Sequence, residues 1–126
     1  MASRSRRSAV AANNLAWIYA EEGGNLDRAL QLAQTAKAAL PKSHEVNDTL
    51  GWIYVKKGLG SLAVPVLLQS VQAVPGNASY HYHLGMGYVS KGDPVKARAS
   101  LERALALSPT FDGADAARQA LAGLKG

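Results

Sequence analysis

The chain has 126 residues, 14 Lys and Arg against 9 Asp and Glu, and no cysteine. That length is one ordinary domain, able to bury a core without covalent staples. The absence of cysteine excludes disulfides, thiolate nucleophiles and cysteine-ligated zinc. The net charge of +5 invites a nucleic-acid reading, but Arg4, Arg6 and Arg7 supply three of the basic residues, and the remainder is nearly balanced. No specific nucleic-acid partner is therefore expected. Residues 1–7 read as a disordered basic leader or the edge of an expressed fragment. No apolar core follows the arginines, so they do not open a signal peptide. The longest apolar stretch, Leu62 to Val74, is too short to span a membrane and is interrupted by Pro65, Gln69, Ser70 and Gln72.

Pro41, Pro75 and Pro109 are spaced by 34 residues and provide a ruler for the rest of the chain. The first unit, about 8–42, carries Leu15, Ala16 and Tyr19, then the turn Glu22-Gly23-Gly24-Asn25, then Ala29 and Ala36. The second, about 43–76, repeats this as Leu50, Gly51, Tyr54, Gly58, Ala63 and Ser70. The third, about 77–110, has Leu84, Gly85, Tyr88, Gly92, Ala97 and Ala104. One residue inserted in the first turn explains why Leu15, Ala16 and Tyr19 sit 35 rather than 34 before their counterparts. Each unit reads as two helices joined by a glycine turn, and Asp93-Pro94 is a helix start with aspartate as the cap.

Leucine and tyrosine four residues apart share a helix face and are expected to fill the space between helices. Gly51 and Gly85 are mid-helix, at a cost of about 1 kcal/mol relative to alanine. The close backbone approach of a neighbouring helix is the expected reason, with Ala29, Ala63 and Ala97 serving it from the partner. A last helix over 112–124 places Ala114, Ala117, Leu121 and Leu124 on one side and reads as a cap.

These spacings resemble the tetratricopeptide repeat, W-x2-L-G-x2-Y followed by alanine, phenylalanine and proline. The first slot holds Ala12, Asn47 and His81, and the phenylalanine slot holds Ala33, Leu67 and Leu101. The resemblance covers residues 8–111 and extends, through Asn13-Asn14-Leu15-Ala16-Trp17 and Asp48-Thr49-Leu50-Gly51-Trp52, to repeats of large bacterial proteins, including lipoproteins linked to exopolysaccharide export. It implies an all-α, right-handed superhelical solenoid of three helix-turn-helix units plus a C-terminal capping helix, seven helices in one domain over 8–126. The uncapped amino-terminal end reads as the tail of a longer array. The compartment stays open between bacterial cytoplasm and periplasm.

The resemblance also implies that the first helix of each pair lines the concave face. Facing away from the leucine and tyrosine positions are Asn13, Trp17 and Ala20, then Asp48, Trp52, Val55 and Lys56, then Tyr82, Met86 and Val89. Trp17, Trp52 and Met86 are expected to form a ladder, with Asn13, Asp48 and Tyr82 one turn below. Two tryptophans in register either pack between repeats or anchor a peptide. The family's chaperone-tail clamp has basic side chains at slots that here hold Asn13, Ser79 and His83, so no chaperone carboxyl-terminus is expected to bind.

From Gly58 to Ser90 there is no charged residue, and Leu62, Pro65 and Leu68 are expected to form an apolar convex patch suited to self-association or a second partner. Catalysis is not expected. His81 and His83 diverge by roughly 200° on a helix and cannot chelate one metal. His81 reads as a satisfied core histidine, and Glu45 with Asp48 as a solvated pair. The Gly58-Leu59-Gly60 and Gly85-Met86-Gly87 runs follow no predicted strand and are weak as phosphate loops. No cofactor is implied. The expected function is a non-enzymatic module binding an extended or helical peptide in the groove, with a glycan-binding or purely structural role in a larger bacterial assembly as the alternative.

Overall fold

The computed structural model describes residues 2–124, in which seven α-helices follow one another without strands: α1 (Ala2–Glu22), α2 (Leu26–Ala39), α3 (His44–Lys56), α4 (Gly60–Ala73), α5 (Ala78–Lys91), α6 (Pro94–Leu107) and α7 (Ala114–Gly123). The helices α1 with α2, α3 with α4, and α5 with α6 form antiparallel pairs, and α7 packs on α6. The turns within the three pairs each hold a glycine in the left-handed region, Gly23, Gly58 and Gly92, at φ of 67°, 76° and 89°. A side chain is disfavoured there, which fixes the glycine ruler read from sequence. Asn25, Ser43, Asn77 and Asp93 cap the helices that follow them, accepting from the backbone N–H of Arg28, Val46, Tyr80 and Lys96.

Helix α1 begins at Ala2, so residues 2–7 continue a helix where a disordered leader was expected. The segment Ala-Ser-Arg-Ser-Arg-Arg contains no proline or glycine to stop it, despite the unfavourable charge at the helix start. Residues 1, 125 and 126 of the expected domain bounds lie outside the described residues.

The packing at Gly51 and Gly85 differs in kind from expectation. A Cβ on Gly51 would overlap the side chain of Leu67, and one on Gly85 would stand 2.7 Å from Leu101. The missing side chain thus admits a leucine from the paired helix rather than its backbone. In the first repeat the same positions are Ala16 and Ala33, both fully buried, and no glycine is needed. The close backbone approach occurs instead at Gly60, where a Cβ would overlap the N atom of Lys91 and lie 2.7 Å from the Ser90 carbonyl carbon.

Leu15 differs from its counterparts as well. It is 40% exposed, whereas Leu50 and Leu84 are each 4% exposed. Helix α3 is flanked by α1 and α2 on one side and by α4 and α5 on the other, while α1, among the described residues, packs mainly on α2 and α3. Ile18 follows the same logic: it is exposed, and its equivalent Ile53 is fully buried.

Candidate functional site

Helices α1 and α3, and α3 and α5, contact one another directly, in addition to their paired helices. The first helices therefore crowd together along the inner side of the array, and their side chains line two adjoining cavities. One, of about 520 Å³, lies between Trp17 and Glu21 of α1, Asp48 and Trp52 of α3, Ser79, Tyr82 and His83 of α5, and Asp112, Gly113 and Ala116 at the start of α7. The second, of about 420 Å³, is lined by Asn13, Asn14, Trp17, Ile18, Glu45, Asp48, Thr49 and Tyr80. Trp17 and Asp48 belong to both, so the cavities form one groove.

His83 organises the larger cavity. Its Nδ1 donates to Asp48 Oδ1 at 2.7 Å, and both residues are buried. Its ring stacks on Trp52 with centroids 4.2 Å apart and meets Trp17 at 5.9 Å. Trp52 in turn donates from Nε1 to Glu21 Oε1 at 3.0 Å and lies 5.5 Å from Tyr82. Tyr82 continues the series to Phe111 at 5.8 Å. Gly113 is required at this end, because a Cβ there would collide with both Phe111 and Tyr82. The groove is thus walled by an aromatic row crossing three repeats and the cap.

The electrostatics are negative. Burial, with the charges of Asp48 and Glu45, pushes the Tyr80 hydroxyl up to about 12, and that hydroxyl lies 2.7 Å from His44 Nδ1. Burial and the charge of Glu21 raise Tyr82 in the same direction. The side-chain oxygen of Asn13 is buried and has no hydrogen-bond partner among the described residues.

Five of the residues expected in the groove, Asn13, Trp17, Asp48, Trp52 and Tyr82, line it. Met86 and Lys56 do not. Lys56 is exposed and holds its ammonium 5.3 Å from the Trp52 ring centroid, outside both cavities. Ala20 is fully buried in the core between the helices. Asp48 is not a solvated carboxylate, because α5 brings His83 onto it. The buried histidine is His83 and not His81, which is half-buried and hydrogen-bonded to the Pro75 carbonyl at 2.8 Å. Glu21 was missed although it stands four residues after Trp17, hence on the same face. Asp112 and Phe111 lie beyond the last proline of the ruler, where periodicity carries no signal. On the convex side Leu62 and Pro65 are exposed, whereas Leu68 is partly buried against the core of α4, α5 and α6.

Residues 78–111 match the family model of the tetratricopeptide repeat. The third helix pair, α5 with α6, is thus a tetratricopeptide repeat, and the helical fold of the described residues is the one tetratricopeptide-repeat proteins share. The chain is 42% identical over 59 residues to cellulose synthase operon protein C of Escherichia coli K12, a match covering 47% of this chain and 5% of that protein. Among solved structures, MamA (MSR-1) superposes with a TM-score of 0.68 at 32% identity, over 78% of this chain and 56% of that one. The first tetratricopeptide-repeat domain of human RPAP3 superposes with a TM-score of 0.75 over 93% and 94% of the two chains, and at 18% identity it shows the fold alone. The chain thus spans a small fraction of the curated relative and little more than half of the MamA structure. The fold is a helical solenoid of the kind that presents surfaces to protein partners. No helix among the described residues is long and apolar enough to cross a membrane.

Proposed function

We propose that this chain is a non-enzymatic interaction module that binds an extended or helical peptide segment along the groove of α1, α3, α5 and the start of α7. The observation carrying this reading is the continuity of the two cavities through Trp17 and Asp48, with an aromatic wall on a rigid helical frame. Half-buried Trp17 supplies an anchor of the type that dominates peptide and protein interfaces. The Asp48–His83 pair, stacked against Trp52, acts as the frame that keeps this wall in place.

Selection of a random dodecapeptide library on the full chain tests the proposal, with Trp17→Ala selected in parallel after circular dichroism confirms its fold. Enrichment by the parent and its loss in Trp17→Ala is the expected result. Enrichment insensitive to Trp17→Ala, or none, contradicts the groove reading. The likeness to cellulose synthase operon protein C makes a glycan the competing ligand, and saturable quenching of tryptophan emission by cello-oligosaccharides in the absence of any selected peptide would favour it.

A further inference from the structure

The groove's chemistry narrows the class of peptide it takes. The chain carries a net charge of +5, yet Glu21, Glu45, Asp48 and Asp112, four of its nine carboxylates, line the two cavities, and no lysine or arginine among the described residues does. Asp48 is matched by His83. Glu21 accepts only from the neutral indole N–H of Trp52, and neither Glu45 nor Asp112 has a Lys or Arg ion-pair partner among the described residues. Asn13 adds an unpartnered buried acceptor beside Trp17. The free carboxylate oxygens and the Asn13 Oδ1 are therefore acceptors, and a ligand that satisfies them must bring donors and positive charge.

The aromatic wall fits the same ligand. Ring faces attract cations, and outside the cavities the Lys56 ammonium already stands 5.3 Å from the Trp52 centroid. The 520 Å³ cavity sets Trp17 and Tyr82 beside Glu21 and Asp112, combining ring faces and carboxylates in one space. A guanidinium uses both, stacking its plane on a ring while its N–H fork meets a carboxylate.

We infer that the groove recognises a basic peptide segment, whose arginine or lysine side chain enters the cavity between Trp17, Tyr82, Glu21 and Asp112 while flanking donors reach Asn13 and Glu45. This rests on the groove reading proposed above and gives it a ligand class. An acidic tail is repelled from the same surface.

The test uses the full chain and the peptides recovered by the library selection. Recovered peptides are expected to share at least one arginine or lysine position. The double variant Glu21→Gln plus Asp112→Asn keeps the acceptor for Trp52 and changes only exposed carboxylates, so it is expected to fold, which circular dichroism checks. It is expected to bind a fluorescein-labelled recovered peptide at least tenfold more weakly in fluorescence polarisation, and binding by the parent is expected to fall severalfold from 50 to 300 mM salt. Replacing the peptide's arginine by citrulline is expected to give a similar loss. Recovered peptides that require Trp17 but are neutral or acidic, and bind the double variant as tightly as the parent, would overturn the cationic assignment while leaving the groove reading intact. Peptides indifferent to Trp17→Ala would remove both.

Discussion

The inner and outer surfaces of the second repeat are built from adjacent helices and differ in almost every chemical respect. Helix α3 presents Asp48 and Trp52 to a groove, ties them to His83 of the next repeat and leaves acceptors open beside them. Helix α4 presents Ser61, Leu62 and Pro65 to solvent and carries no charged residue. The uncharged run from Gly58 to Ser90 is explained mainly by where it lies. Ala63, Val64 and Leu67 of α4 and Tyr80, His83, Leu84 and Tyr88 of α5 are all buried, because these helices are covered on both flanks. A stretch without charge marks the middle of a solenoid before it marks an interface.

The largest expected effect falls on the inner surface. His83→Ala leaves the Asp48 carboxylate buried without its partner, and a loss of about 3 to 5 kcal/mol is expected in urea unfolding. Asp48→Asn, which retains an acceptor, is expected to cost less. Next comes the junction joining the two surfaces. Gly60→Ala drives a Cβ into α5 backbone, which cannot rotate aside, and about 1 to 3 kcal/mol is expected. Gly51→Ala meets the Leu67 side chain and gains helix propensity, so its cost is expected to be smaller.

Trp17→Ala is expected to weaken peptide binding at least tenfold, equivalent to about 1.4 kcal/mol, while circular dichroism stays unchanged. Leu62→Glu on the outer surface is expected to leave peptide affinity unaltered and stability within about 0.5 kcal/mol. Its effect on mass in light scattering at high concentration tests whether that surface supports self-association. The smallest signature is one of pH. Tyr80 holds its proton more tightly in the folded chain, so the unfolded state binds fewer protons between pH 10 and about 12, and stability falls as pH rises through that window. Tyr80→Phe removes this contribution, and its unfolding midpoint is expected to vary less with pH there.

The seven helices and their pairing were legible because the signals are periodic: three left-handed glycines, three prolines, and leucine with tyrosine one turn apart. The same period placed Asn13, Trp17, Asp48, Trp52 and Tyr82 on the inner side. It could not show that His83 crosses to Asp48, because that contact depends on the angle at which α5 meets α3. Nor could it bring in Phe111 and Asp112, which lie past the last proline of the ruler and reach the groove only because Gly113 lets the chain lie against Tyr82. Leu15 was misplaced for the complementary reason: its sequence position matches Leu50, but only a flanking helix pair makes that position buried.

The most direct test of the central claim is a two-dimensional ¹H–¹⁵N titration of the full chain with a peptide recovered by selection. The indole N–H resonances of Trp17 and Trp52 are expected to shift together and saturate, while amides of Ser61 and Leu62 on the outer surface stay in place. Saturable shifts confined to α4, with both indoles unmoved, would contradict the assignment of binding to the inner groove.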